Sequence, residues 1–236
     1  MDTLDQDLLE KSKVKAKQAD ALFLALAALF ITALVTCNLI ANKFISVDLG
    51  FKTFIISAGV LPYPITFLIT DVLSEIYGRR KTSRVVLTGL AASLFVLFIL
   101  LLGSYFPSID GSPVDNATYD QVFANSWRVI FASMTAYLVA QLVDVRVFHF
   151  WKKLTQGKHL WLRNNASTIF SQFLDTFLVV GVLFVGVKSF GEIGDMVLDG
   201  WMFKALAALI DTPIFYGLVY FLRSYFGLKP GEELSE

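Results

Sequence analysis

Cysteine is almost absent from this sequence, and the single thiol, Cys37, excludes an internal disulfide. Histidine is nearly as scarce. His149 and His159 stand among tryptophans and lysines with no cysteine or further histidine beside them, so no metal-ligand spacing forms. Redox and metal chemistry drop out, and no cofactor is expected. A surplus of one charge is missing too: 20 basic and 20 acidic residues cancel, no basic face is pooled, and nucleic acid is not an expected partner. Charge of either sign is sparse, at 17% against about a quarter in soluble domains. Apolar residues take its place: 56% of the 236 residues are hydrophobic, 14% are aromatic, and the mean hydropathy is +0.63. A lipid bilayer is the implied solvent.

A helix needs about 20 apolar residues to cross the hydrocarbon layer. Residues 21–42, 53–70 and 85–109 meet or nearly meet that length without a charge in the central part. Three more runs are interrupted by acids: 129–148 by Asp144 beside Arg146, 164–187 by Asp175, and 205–222 by Asp211. Each central Asp costs about 2.5 to 3.5 kcal/mol on insertion scales, so it needs apolar neighbours and polar partners inside a bundle. The expected fold is an all-α membrane protein, a bundle of six transmembrane helices over 21–228, with a polar tail at 1–20 and a short one at 229–236. Pro62 and Pro64 in GVLPYPITF remove backbone donors, so the second helix should be kinked or broken there. A cleaved signal peptide over 11–41 is disfavoured, because the run is too long and lacks a small-x-small cleavage site.

Six crossings with a cytoplasmic amino terminus place fifteen of the twenty lysines and arginines inside. Only Lys43, Lys52, Arg128, Lys188 and Lys204 fall outside, and the outer loop 107–126 carries Asp110, Asp115 and Asp120 with no basic residue. By the positive-inside rule both termini are cytoplasmic. All four tryptophans, Trp127, Trp151, Trp161 and Trp201, fall at expected span ends, the headgroup level that suits an amphipathic ring.

The polar residues inside these runs are the functional candidates. Asp71 and Glu75 in FLITDVLSEIYGRRK lie one turn apart on one helix face. Near a span end, Arg79 and Arg80 could neutralise both; inside the bundle, both would contact an ion or ligand. Asp175 and Asp211 sit about half-way along their runs, with Gln172 three residues before Asp175 and Pro213 two after Asp211. Either acid could be structural, a ligand contact or a proton relay. Gln141 is the better candidate in VAQLVDVR, where Asp144 and Arg146 are expected to pair at the membrane edge. Asn38 and Asn42 add neutral donors and acceptors one turn apart. Phe67, beside the acidic stripe, offers a stacking face. The candidate substrate-binding set is therefore Asn38, Asn42, Phe67, Asp71, Glu75, Gln141, Gln172, Asp175 and Asp211. Carboxylates, amides and an aromatic face suit a flat solute rich in N–H donors better than an inorganic ion, and a guanine-like edge fits that description.

Two motifs carry a resemblance. LITDVLSEIYGRRK supplies Thr70, Asp71, Val72, Glu75, Tyr77 and Gly78; WLRNNASTIFSQFLDTFL supplies Arg163, Asn164, Ser167, Thr168, Ser171, Gln172, Asp175 and Thr176. With CNLIANK (37–43), they resemble the queuosine precursor transporter family, a bacterial group also described as vitamin uptake transporters. The resemblance spans most of the chain. It implies a multi-pass importer of the bacterial inner membrane carrying a deazapurine, 7-cyano- or 7-aminomethyl-7-deazaguanine, salvaged to make queuosine in tRNA.

The nearest rival is the substrate-capturing membrane subunit of an energy-coupling-factor importer, which needs partner ATPases. No G-x-x-x-x-G-K-[ST] loop occurs here, so ATP hydrolysis by that route is not a property of this chain. A remoter rival is an intramembrane aspartyl protease using Asp175 and Asp211, but no G-x-G-D stretch precedes either. The expectation is a transporter and not an enzyme. Whether one unit works alone or as a homo-oligomer is left open.

Overall fold

The computed structural model describes residues 2–41, 43–50, 52–123, 127–156, 158–186 and 188–234. Helix α1 (Asp2–Leu39) leads into a β-hairpin of β1 (Phe44–Asp48) and β2 (Thr53–Ser57), then a single 3-10 turn, Ala58–Val60. Five further long helices follow, with a short one among them: α2 (Tyr63–Ile76), α3 (Gly78–Tyr105), α4 (Asn116–Phe123), α5 (Trp127–Leu154), α6 (Leu160–Phe184) and α7 (Phe190–Phe226). Among the described residues, four segments are long and apolar enough to cross a membrane: Lys13–Leu39, Ala58–Ile76, Gly78–Tyr105 and Phe190–Phe226. Helices α5 and α6 match them in length, at 28 and 25 residues, but carry buried acids and amides. The chain is a helical membrane protein.

One sequence expectation changes. The run 53–70 is not one helix, because its first third pairs as β2 with β1, Phe44 opposite Ser57 through Asp48 opposite Thr53. Its β-branched residues favour an extended chain, and Asp48 closes the turn by accepting from the Gly50 N–H at 2.9 Å. The prolines accordingly start α2 and do not bend it: Pro62 is its N-cap and Pro64 lies in the first turn, where a missing N–H costs nothing. The polar segment 2–20 is helical and continuous with the rest of α1.

Polarity runs inward. Leu94, Phe95, Phe98 and Ile99 on α3, with Ile210, Ile214 and Phe221 on α7, are exposed large apolar side chains, the arrangement that lipid contact requires. The interior is mixed: an apolar cluster joins Phe30 and Leu34 of α1 to Leu73 and Ile76 of α2, Val86 of α3, Phe148 of α5 and Phe215 of α7. Helix α2 is the most enclosed, with ten of its 14 residues buried, Asp71 and Glu75 among them.

The hairpin is anchored at one end of the bundle. Lys52 bonds Asp199 at 2.5 Å, Phe54 packs edge-on against Phe203 with centroids 5.4 Å apart, and the Ser57 hydroxyl donates to the Ala41 carbonyl at 2.5 Å. A Cβ added at Gly59 would sit 2.5 Å from the Cys37 carbonyl oxygen and 3.2 Å from the Ala41 Cα, both backbone atoms that cannot rotate away. Gly59→Ala should therefore push the 3-10 turn off α1 and destabilise the protein by about 1 to 3 kcal/mol. A thermal midpoint in detergent equal to that of the parent would contradict this packing.

The opposite end is basic. It gathers Arg79, Arg80 and Lys81 at the start of α3, Lys152 and Lys153 at the end of α5, and Arg223 near the end of α7. Gly78 makes the α2–α3 corner at φ +79°, and the Glu233 carboxylate lies where any side chain there would project.

Candidate functional site

Helices α2, α6 and α7 enclose a cleft of about 430 Å³, counting the part that opens outward. Tyr63, Phe67 and Asp71 reach it from α2, Asn164, Thr168 and Gln172 from α6, and Lys204, Asp211 and Phe215 from α7. The spacing explains the convergence. On α2 the residues fall at four-residue intervals, 63, 67 and 71; on α6 they fall at 164, 168 and 172, each set on one helical face.

Asp71 is 2% exposed and accepts from the Thr168 hydroxyl at 3.2 Å through Oδ2, while Oδ1 has no donor. Gln172, also buried, leaves its Oε1 without a donor. Two acceptors therefore belong to residues of one cleft, both unsatisfied in a setting where each unmet bond is costly. On the hairpin side, Asp175 Oδ2 binds Lys204 Nζ at 2.7 Å, with the Tyr63 hydroxyl beside the carboxylate and the Lys204 ammonium 4.6 Å from the Tyr63 ring centroid.

Below the cleft, Glu75 is fully buried in an ion cluster. Its Oε1 accepts from Arg163 Nη2 at 2.5 Å and from Arg223 Nη2, and Lys152 Nζ stands 3.8 Å from Oε2. Lys152 also bonds the Glu75 carbonyl at 3.2 Å and Glu233 at 2.9 Å. The neutralising arginines come from α6 and α7, while Arg79 and Arg80 are exposed.

Of the residues expected to bind substrate, Phe67, Asp71, Gln172 and Asp211 line the cleft. Glu75 lies in the ion cluster, and Asp175 stands one layer back, held by Lys204. Gln141 is buried on α5 with both amide atoms lacking partners, outside the lining. Asn38 is half-buried near the end of α1, also outside it. Asn42 lies outside the described residues. The expected Asp144–Arg146 pair does not form: residues two apart point to different helix sides, Arg146 is exposed, and Asp144 is buried against Ser171 at 2.9 Å. Trp201 donates its indole N–H to the Ile169 carbonyl at 3.0 Å.

Sequence reasoning did not select Tyr63, Asn164, Thr168, Lys204 or Phe215 for the site. Lys204 had a readable signal, since it precedes Asp211 by two helical turns on the same face.

The family model described as "Putative vitamin uptake transporter" matches residues 57–218, more than half of the chain. This chain belongs to the vitamin uptake transporter family. The matched region contains every residue lining the cleft, from Val60 to Phe215. A protein of Bacillus subtilis named "Probable queuosine precursor transporter" is 28% identical over 159 residues, covering 67% of this chain and 69% of its own. The protein of the same name from Haemophilus influenzae is 25% identical over 169 residues, 71% of this chain and 66% of its own. The "Queuosine precursor transporter" of Escherichia coli is 27% identical over 179 residues, 75% of this chain and 73% of its own. No solved structure matches. Members of this family are transporters rather than enzymes.

Proposed function

We propose that this transporter imports queuosine precursors, 7-cyano- or 7-aminomethyl-7-deazaguanine, across the bacterial inner membrane for queuosine salvage. The observation that carries the reading is the cleft itself: two donor-less acceptors, Asp71 Oδ1 and Gln172 Oε1, belong to residues that share it with the aromatic rings of Tyr63, Phe67 and Phe215. A deazaguanine offers a ring N–H and an exocyclic amine on one edge, both suited to a single carboxylate, and its flat face suits a ring. The names of the three relatives support the same substrate class. Among the expected contacts, Phe67, Asp71, Gln172 and Asp211 are assigned to the base, with Asn164 and Thr168 beside them.

The bundle crosses six times in this reading, with both termini in the cytoplasm and the basic end facing inward, as the positive-inside rule asks. The base enters at the hairpin end and leaves past the Glu75 cluster when the helices rock. The cleft has to widen for the base to reach Asp71 and Gln172, because both oxygens are covered in this conformation.

The test is competitive uptake of radiolabelled 7-cyano-7-deazaguanine in a strain lacking its own synthesis. Both deazaguanines are expected to compete and adenine and biotin to fail. Competition by biotin alone would reject the deazaguanine assignment. Uptake by the purified chain in proteoliposomes is expected without added ATPase; strict dependence on an ATPase complex would make it an energy-coupling-factor subunit.

A further inference from the structure

Asp144 belongs to no assigned site, yet it is fully buried and acts on Asp71, one of the residues lining the cleft. Its Oδ1 accepts from the Ser171 hydroxyl at 2.9 Å, one turn along α6 from the Thr168 hydroxyl that holds Asp71 at 3.2 Å. The Ser171 hydroxyl also lies 3.0 Å from the Thr168 carbonyl, so the two carboxyl groups are bracketed by adjacent turns of one helix. They interact with each other directly, and each keeps one oxygen without a donor, Oδ1 of Asp71 and Oδ2 of Asp144.

Counter-charge is lacking. Among the described residues, neither carboxylate forms an ion pair. The surrounding groups are accounted for from each packed element. Glu75 on α2 is another acid, its charge met by Arg163 and Arg223. Helix α6 presents Ser167, Thr168 and Ser171, which do not titrate near neutrality, and Asp175, which holds Lys204 of α7. Helix α7 adds Asp211 across the cleft, α5 adds the Tyr137 phenol, and α1 brings Cys37 near that phenol. Two carboxylates in contact, away from water and without a cation, do not both stay ionised; one proton between them removes the repulsion and satisfies an orphan oxygen.

We propose that Asp71 and Asp144 share one exchangeable proton, and that this pair couples import of the base to proton entry. The inference rests on the import reading above and deepens it. With the proton on Asp144, the Asp71 carboxylate is free to accept the N–H edge of the base through Oδ1. With the base's N–H groups donated to Asp71, the pair holds its proton less tightly, so at the basic end the proton leaves first and the base follows. One proton and one base cross together, and the pair returns to its starting state by taking another proton from the hairpin side. Gln141 and Tyr137 lie one and two turns before Asp144 on the same face of α5, both buried with partner-less polar atoms, so the pair continues into a polar seam.

The full chain in proteoliposomes, with voltage clamped at zero by potassium and valinomycin, provides the test. With 7-cyano-7-deazaguanine and a lumen one pH unit more alkaline than the outside, wild type is expected to accumulate base up to about tenfold, the limit for one proton per base. In Asp144→Asn the ratio of gradient-driven accumulation to simple exchange should fall to one, whatever its absolute rate. Infrared spectra of the wild type should show a protonated buried carboxyl that disappears in Asp144→Asn and in Asp71→Asn. Exchange of the base with no response to the pH gradient would overturn the coupling and leave the import reading standing. No base exchange, with the carboxyl band present, would remove the substrate reading and with it the coupling, keeping only the shared proton. Absence of the band in wild type would overturn the shared proton itself and needs no variant to fold.

Discussion

Glu75→Gln is expected to cost the folded protein and not merely its activity. The Arg163 guanidinium is 0% exposed and finds its counter-charge 2.5 Å away on Glu75 Oε1, which Arg223 also uses. Lys152, 7% exposed, adds a third cation against Glu75, with Glu233 as the one other acid bonded to it in this cluster. Replacing the carboxylate by an amide leaves buried positive charges facing one another. Breaking a buried pair in this way costs about 3 to 5 kcal/mol, a large part of the stability of an ordinary domain. The yield of monodisperse protein in detergent and its thermal midpoint should both fall sharply. Arg163→Gln added to Glu75→Gln should recover part of the loss, since the second change removes the charge that the first one stranded, and a double-mutant cycle reads that coupling. A variant with the parental midpoint and no base binding would return Glu75 to the binding site.

The same cluster shows how much the sequence could say. A hydropathy window makes Asp71 and Glu75 look alike: two acids one turn apart in an apolar run. Their difference lies in α6 and α7, because Arg163 and Arg223 reach one carboxylate and not the other. Nothing local to residues 67–81 encodes that, and the nearby Arg79 and Arg80 point away from it. Depth within a run was the informative quantity for Asp211 and Gln172, both of which line the cleft. Residues placed by composition fared worse. Lys204 counted as an outer-loop charge, although its ammonium lies against Asp175 and Tyr63. Arg146 masks Asp144: opposite charges two residues apart suggest a pair, whereas helix geometry turns the two side chains apart. The hairpin went unread for a different reason: hydropathy sums TFIIS and AGVLPYPITF into one run, whereas the β-branched residues before Gly59 and the prolines after it divide that run into strand and helix.

Asp71→Asn should have the opposite signature to Glu75→Gln: full-length, folded protein and almost no uptake. Asp71 has a hydroxyl and another acid as neighbours, so neutralising it strands no cation and relieves its repulsion with Asp144. Stability should hold or rise. Binding should collapse, because a carboxylate can accept both N–H groups of a guanine-like edge, whereas an amide offers one acceptor and turns a donor toward the other N–H. Hydrogen bonds to a charged acceptor contribute about 1.5 to 3 kcal/mol each, so losing one of two and opposing it with a donor predicts roughly a hundredfold weaker binding. The pair of amide variants thereby separates two acids that sit on one face of one helix. Uptake by Asp71→Asn within about threefold of the parent, at equal protein in the membrane, would mean that the base does not meet this carboxylate, since even one lost charged bond should exceed that ratio.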